Sequence, residues 1–196
     1  MRPILIQPPA LEPVSLAEAR EWLRDDGLEE DQIIQTLIVS ARMTIEAYTR
    51  RFMIEQKWRL TFDLWPESVA ADRKMELPLA PCRGVDAIRV YDEPNISYTL
   101  DARDFCLSTS SDNARLLFFL QPRVPGRSYE GVEIDLTVGY GAQPNDTPPP
   151  LRRALLMLVA AWRENRGDLP EISLPGSGLP GNVLQLVAPF RRERLI

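Results

Sequence analysis

The apolar residues of this chain change period twice. From residue 15 to about 50 they recur every three or four positions. From about 57 to 147 they recur every second position, and from Pro148 the helical period returns. Such a pattern excludes an all-helical bundle, an all-β sandwich and a repeating βαβ fold. It predicts an α+β protein: a small helical bundle of three main helices plus a C-terminal arm, with an antiparallel β-sheet inserted in it.

Local signals mark the boundaries. Four prolines (Pro3, Pro8, Pro9, Pro13) make 1–14 an extended N-terminal arm. Ser15-Leu16-Ala17-Glu18 is a capping box that opens a first helix, closed by Asp25-Asp26-Gly27. The acidic run Glu29, Glu30, Asp31 suits the start of a second helix. Its stripe is Ile34, Leu37, Ile38, Ala41, Ile45 and Tyr48, with Arg42, Glu46 and Arg50 forming a solvated, paired row. Trp58, Leu60, Phe62 and Leu64 then alternate with polar residues, as do Val132, Ile134, Leu136 and Val138. Between them, turn signals separate strands near 75–79, 85–91, 103–108 and 114–120, giving one sheet of five or six strands. Pro148-Pro149-Pro150 opens a third helix, 151–166. The predicted organisation is the arm 1–14, a bundle from 15–56 and 148–166, the inserted sheet 57–147, and a linker with a docking arm over 167–196.

Composition removes several function classes. The chain has 196 residues and no histidine, which excludes Ser-His-Asp and Cys-His machinery and most zinc and haem sites. With 23 basic and 28 acidic side chains the net charge is -5, against general binding of duplex DNA. The charge is uneven: residues 151–196 hold 7 basic and 4 acidic groups, so the basic end is the C-terminal one. Cys82 and Cys106 read as buried or half-buried thiols in a reducing compartment, not as a disulfide framework. The N-terminal segment lacks the apolar stretch of a signal peptide, and the longest apolar run, Ala154 to Trp162, is too short to span a membrane. The expectation is a protein made in the cytosol, with no membrane partner.

Each motif with a chemical reading has a plainer one. Gly176-Ser177-Gly178-Leu179-Pro180-Gly181 matches a dinucleotide-binding string, but no strand leads into it and Pro180 interrupts it, so it reads as linker. Asp25, Asp26, Glu29, Glu30 and Asp31 lack the ladder of a calcium loop. Asp101 with Asp104, and Glu133 with Asp135, read as solvated carboxylates rather than a catalytic pair. Nothing visible activates Ser108, Ser110 or Ser111. Trp22, Trp58, Trp65 and Trp162 read as packing residues. Catalytic residues, metal ligands and cofactors are therefore expected to be none. Two apolar features stand out instead. The 151–166 helix is apolar nearly all round, which assigns Leu156, Ala160 and Arg163 to a neighbouring subunit. The apolar segment Val183, Leu184, Leu186, Val187 and Phe190 lies beyond a linker and needs a surface to dock on, its own core or a partner's.

The order of segments carries a resemblance. Pro13-Val14-Ser15-Leu16-Ala17-Glu18-Ala19 is followed by Leu37-Ile38, Ala41-Arg42 and Ile45-Glu46-Ala47-Tyr48-Thr49-Arg50-Arg51. Then come Trp58, Leu77-Pro78-Leu79-Ala80-Pro81, Val90-Tyr91-Asp92, Val138-Gly139-Tyr140-Gly141, Leu151-Arg152-Arg153-Ala154-Leu155-Leu156 and Ala188-Pro189-Phe190-Arg191-Arg192. Over about residues 13–194 this succession resembles the head–tail connector (adaptor) proteins of long-tailed bacteriophages and gene transfer agents. Trp162 stands where that family often has a Tyr.

The resemblance implies a structural role in the neck of a virion or phage-like particle. The expected partners are the portal protein, a stopper or tail-terminator protein, further copies in a ring that is commonly a dodecamer, and double-stranded DNA passing through without sequence-specific binding. It assigns Val183, Leu184, Leu186, Val187, Phe190, Arg191, Arg192 and Arg194 to an arm that grips the portal. Twelve copies would carry about -60 formal charges, a wall that lets DNA slide rather than stick. Two other classes remain open: a nucleic-acid-binding accessory protein acting through the basic C-terminus, and a carboxylate-dependent hydrolase built on the sheet.

Overall fold

A computed structural model describes residues 1–25, 27, 29–93, 95–109, 113–165 and 179–192. The chain forms two compact units: Met1–Pro9 with Glu55–Gly139, and Ala10–Ile54 with Tyr140–Ile196. The class is mixed α+β, with five helices and two antiparallel sheets among the described residues, one of five strands and one of three.

The sheet unit holds β1 (Arg2–Gln7), β2 (Gln56–Phe62), a short helix α1 (Glu67–Asp72), β3 (Lys74–Glu76), β4 (Cys82–Tyr91), β5 (Ser97–Thr99), β6 (Phe105–Ser108), β7 (Arg115–Phe118) and β8 (Val132–Val138). The larger sheet has the order β1-β2-β8-β4-β5 and the smaller β3-β7-β6. The long strands β2 and β8 pair from Gln56↔Val138 to Phe62↔Val132. That register sets Leu60, Ile134, Leu136 and Ile88 on one face, all fully buried. The opposite face carries Arg59, Glu133, Asp135 and Arg89.

The helical unit holds α2 (Leu16–Leu23), α3 (Asp31–Thr49), α4 (Pro149–Glu164) and α5 (Gly181–Val187). Ser15 and Glu18 form the expected capping box on α2. On α3 the expected stripe is inward: Ile34, Ile38, Ala41 and Ile45 are buried, with Leu37 and Tyr48 packed at the edge of the core. Leu151, Ala154, Leu155, Leu158 and Val159 of α4 complete this core. The turn into α4 needs its glycine, since a β-carbon on Gly141 would lie 2.0 Å from Asp146 Oδ2. That carboxylate already accepts from Gln143 N at 2.9 Å.

Five features differ from the expectation. Residues 2–7 pair with β2 as an edge strand of the large sheet, because Pro3 at an edge forfeits no ladder bond. The strands form two sheets, since β4 pairs back to β8 while β7 pairs with β3 and β6. Arg42 and Glu46 are buried rather than solvated, because Glu12 lies over Arg42 and Met53 N donates to Glu46. Leu64 lies past the end of its strand and is 58% exposed, and Trp22 is 44% exposed. Cys106 is exposed, whereas Cys82 is buried and its thiol is pushed up to about 11 by desolvation.

Candidate assembly surfaces

The C-terminal segment is built into the helical unit. Pro180 starts α5, whose apolar residues Val183, Leu184 and Val187 fall on one face and are buried in the same core as α4. Leu186 and Phe190 pack at its edge. Backbone contacts tie the end down: Arg51 Nε donates to Phe190 O at 2.7 Å, and Arg192 N donates to Thr49 O at 3.0 Å. The Arg191 guanidinium sits 5.0 Å from the Tyr48 ring centre. So the apolar residues expected to grip a partner fill this chain's own core, the first of the two seats the sequence left open. What the segment presents outward is Asn182, Gln185, Ala188, Pro189 and Arg191. Arg194 lies outside the described residues.

This packing also assembles a group that sequence reasoning did not join. Arg50 and Arg51 close α3, with Arg50 in the left-handed region at φ 56°. Arg191 and Arg192 arrive beside them from the far end of the chain. The arginine doublets at 50–51 and 191–192, from opposite parts of the chain, thus form one basic end. The doublets were visible as letters, but only the docking of α5 puts them together.

At the other end of α3, arginines tie helix ends to acidic turns. Arg163 of α4 reaches Asp25 at 2.6 Å and Glu30 at 2.8 Å. Arg20 reaches Asp31 at 3.5 Å. Arg152, at the start of α4, donates to Pro13 O at 3.0 Å and pairs with Glu18. Burial raises the Glu18 carboxyl, but hydrogen bonds from Ser15 and the Arg152 charge outweigh it, leaving the pKa below the usual value. Of the expected subunit-interface residues, Leu156 is half-buried against the core, and Ala160 and Arg163 border a groove with Trp22, Leu23, Arg24, Glu30 and Glu164. Three apolar side chains of α3 face outward: Ile33, Val39 and Met43, the last 59% exposed.

The outer face of the large sheet is an ionic lattice. Asp135 accepts from Arg59 Nε at 2.7 Å and from Arg89 Nη1 at 2.7 Å. Glu133 accepts from Tyr91 Oη at 2.9 Å. Burial alone would raise the Asp135 carboxyl, yet its arginine hydrogen bonds hold it below the ordinary value. Burial and the Glu133 contact push the Tyr91 hydroxyl up. Asp135, expected to be solvated, is instead buried and paired with two cross-strand arginines that favour its charged form, and Glu133 lies 3.3 Å from Arg59. Asp101 and Asp104 cap a turn, Asp104 Oδ2 accepting from Asp101 N at 3.0 Å. Among the described residues no three Cys, Asp or Glu side chains converge as a metal site, and no helix is long and apolar enough to cross a membrane.

The whole fold is similar to chains of gene transfer agent (GTA) particles. A chain in the neck of an empty GTA particle with C6 symmetry is 26% identical, with a TM-score of 0.82 over 100% of this chain and 98% of that one. A chain in the virion of the native GTA particle is 26% identical, with a TM-score of 0.80 over 100% and 98%. A chain in the neck of the native particle with C12 symmetry is 26% identical, with a TM-score of 0.72 over 98% and 97%. No protein-family model and no curated protein sequence matches the chain. The fold of this chain thus matches, over its whole length, that of chains in the GTA neck.

Proposed function

We propose that this protein is a structural adaptor in the neck of a GTA or related phage-like particle. It forms a ring that joins the portal to a stopper or tail protein, and DNA passes through the ring. The observation that carries this reading is the full-length match to neck chains, covering 98% of the relative as well as 100% of this chain. The symmetry of those necks supports a ring of identical copies. The acidic balance of the chain supports a channel that does not retain DNA.

The arm has a revised part in this proposal. Its apolar residues Val183, Leu184 and Val187 hold the segment in place, and its exposed Gln185, Ala188 and Pro189 meet the portal. The test is native mass by light scattering, alone and with a portal ring, for the full chain and for its Gln185→Glu, Ala188→Glu double variant, whose two changes lie on the exposed side of the segment. The full chain is expected to join the portal in many copies and the double variant to form the ring alone but to fail on the portal. A full chain that stays monomeric and ignores the portal would remove the adaptor reading.

The convergence of Arg50, Arg51, Arg191 and Arg192 favours a second reading, an accessory protein that binds nucleic acid. It requires affinity for duplex DNA that falls steeply with salt and disappears when residues 189–196 are deleted.

A further inference from the structure

The helical unit is electrically bipolar along α3. This helix has 19 residues and so spans about 28 Å. At its C-terminal end lie Arg50, Arg51, Arg191 and Arg192, four positive charges. At its N-terminal end lie Glu21, Asp25, Glu29, Glu30, Asp31 and Glu164 against Arg20, Arg24 and Arg163, a net of -3. Glu21, Glu29 and Glu164 are exposed there. Beside them is the groove between α2 and α4, lined by the apolar Trp22, Leu23 and Ala160 and by Arg24 and Arg163 against Glu30 and Glu164; Trp22 is 44% exposed.

We propose that neighbouring copies of this chain meet head to tail through these two ends. The arginine end of one copy meets the rim of the Trp22 groove of the next, beside the exposed Glu29 and Glu164. The inference rests on the ring reading above and deepens it by naming the contact. A closed ring needs two different, mutually complementary patches on every subunit, one for each neighbour. The opposed ends of α3 are such a pair. An arginine suits the groove twice over: its planar guanidinium stacks on an indole face, and its fork of donors matches carboxylates. Another copy is favoured over nucleic acid as the occupant because the complementary acidic surface is present on this same chain, whose overall charge is -5.

A charge-swap pair tests the contact. Variant one is Arg50→Glu with Arg191→Glu, and variant two is Glu29→Lys with Glu164→Lys. All four side chains are exposed, so both variants are expected to fold, and thermal melts are the check. The full chain is expected to assemble, and each variant alone to assemble at least tenfold more weakly. An equimolar mixture of the two is expected to recover rings, in which the variants alternate. Trp22→Ala alone is expected to weaken assembly about tenfold as well, and raised salt to weaken the wild type.

Rings formed normally by either variant alone, or a mixture that stays unassembled, overturn this contact and leave the ring reading standing. So does a first variant that keeps full assembly while losing affinity for a duplex DNA oligonucleotide, which marks the arginine end as a nucleic-acid site. A wild type that forms no ring, with or without a portal, removes the ring reading and this contact with it.

Discussion

The two units use arginine in different ways. In the sheet unit, Arg59 and Arg89 reach Asp135 across strands that a backbone ladder already joins. In the helical unit, Arg42, Arg51, Arg152 and Arg163 reach segments with which they share no ladder: Glu12, Phe190, Pro13 with Glu18, and Asp25 with Glu30. The first set decorates a structure, whereas the second closes one. An ion pair therefore matters by what else connects its partners, more than by its distance.

Arg42→Ala breaks this comparison most directly. It leaves Glu46, 9% exposed, buried beside Glu12 without its cation, and is expected to cost about 3 kcal/mol in urea unfolding. Gly141→Ala is expected to cost about 2 kcal/mol, because the Asp146 side chain that holds Gln143 N must move. Arg59→Ala is expected to cost only about 1 kcal/mol, since Arg89 still holds Asp135. Equal losses for Arg42→Ala and Arg59→Ala would erase the distinction.

Acid sharpens it further. The folded Asp135 carboxyl lies below its ordinary value, so its contribution is present above the unfolded value of about 4 and lost as pH falls through the folded one. Glu18 behaves in the same sense in the helical unit. Asp135→Asn and Glu18→Gln are each expected to flatten the fall in unfolding midpoint between pH 5 and 2, measured by urea titration. The smallest effect concerns the thiols. At pH 8 a thiol reagent is expected to label Cys106 quickly, and Cys82 only when the sheet opens, because Cys82 is buried and its thiol titrates at about 11.

Much of the fold was legible because it depends on neighbours in sequence. The capping box at Ser15 and Glu18, the stripe on α3 and the alternation in β2 and β8 are each local rules. β1 was hidden by Pro3 within it and Pro8 and Pro9 just past its end, and β5, Ser97–Thr99, by its length of three residues. The burial of Arg42 and Glu46 was illegible because their row looks like any solvated i, i+4 pair until Glu12 covers it. The candidate surfaces were legible only in part. Ala160 and Arg163 were named from the apolar girth of α4 and do border the groove, while Trp22 was read as core.

The sequence by itself determined the class of the fold, the places of the three main helices and of β2 and β8, and the absence of histidine chemistry, since these follow from residue identity and short-range period. Tertiary structure alone decided where the C-terminal segment sits, and that Arg50 and Arg51 stand beside Arg191 and Arg192. The reason is physical. An apolar face such as Val183, Leu184 and Val187 states that it must be buried but not against what, because the hydrophobic effect has magnitude without direction. Only the packed core of α3 and α4 supplies the partner, and the charges carried on that segment take their position from it.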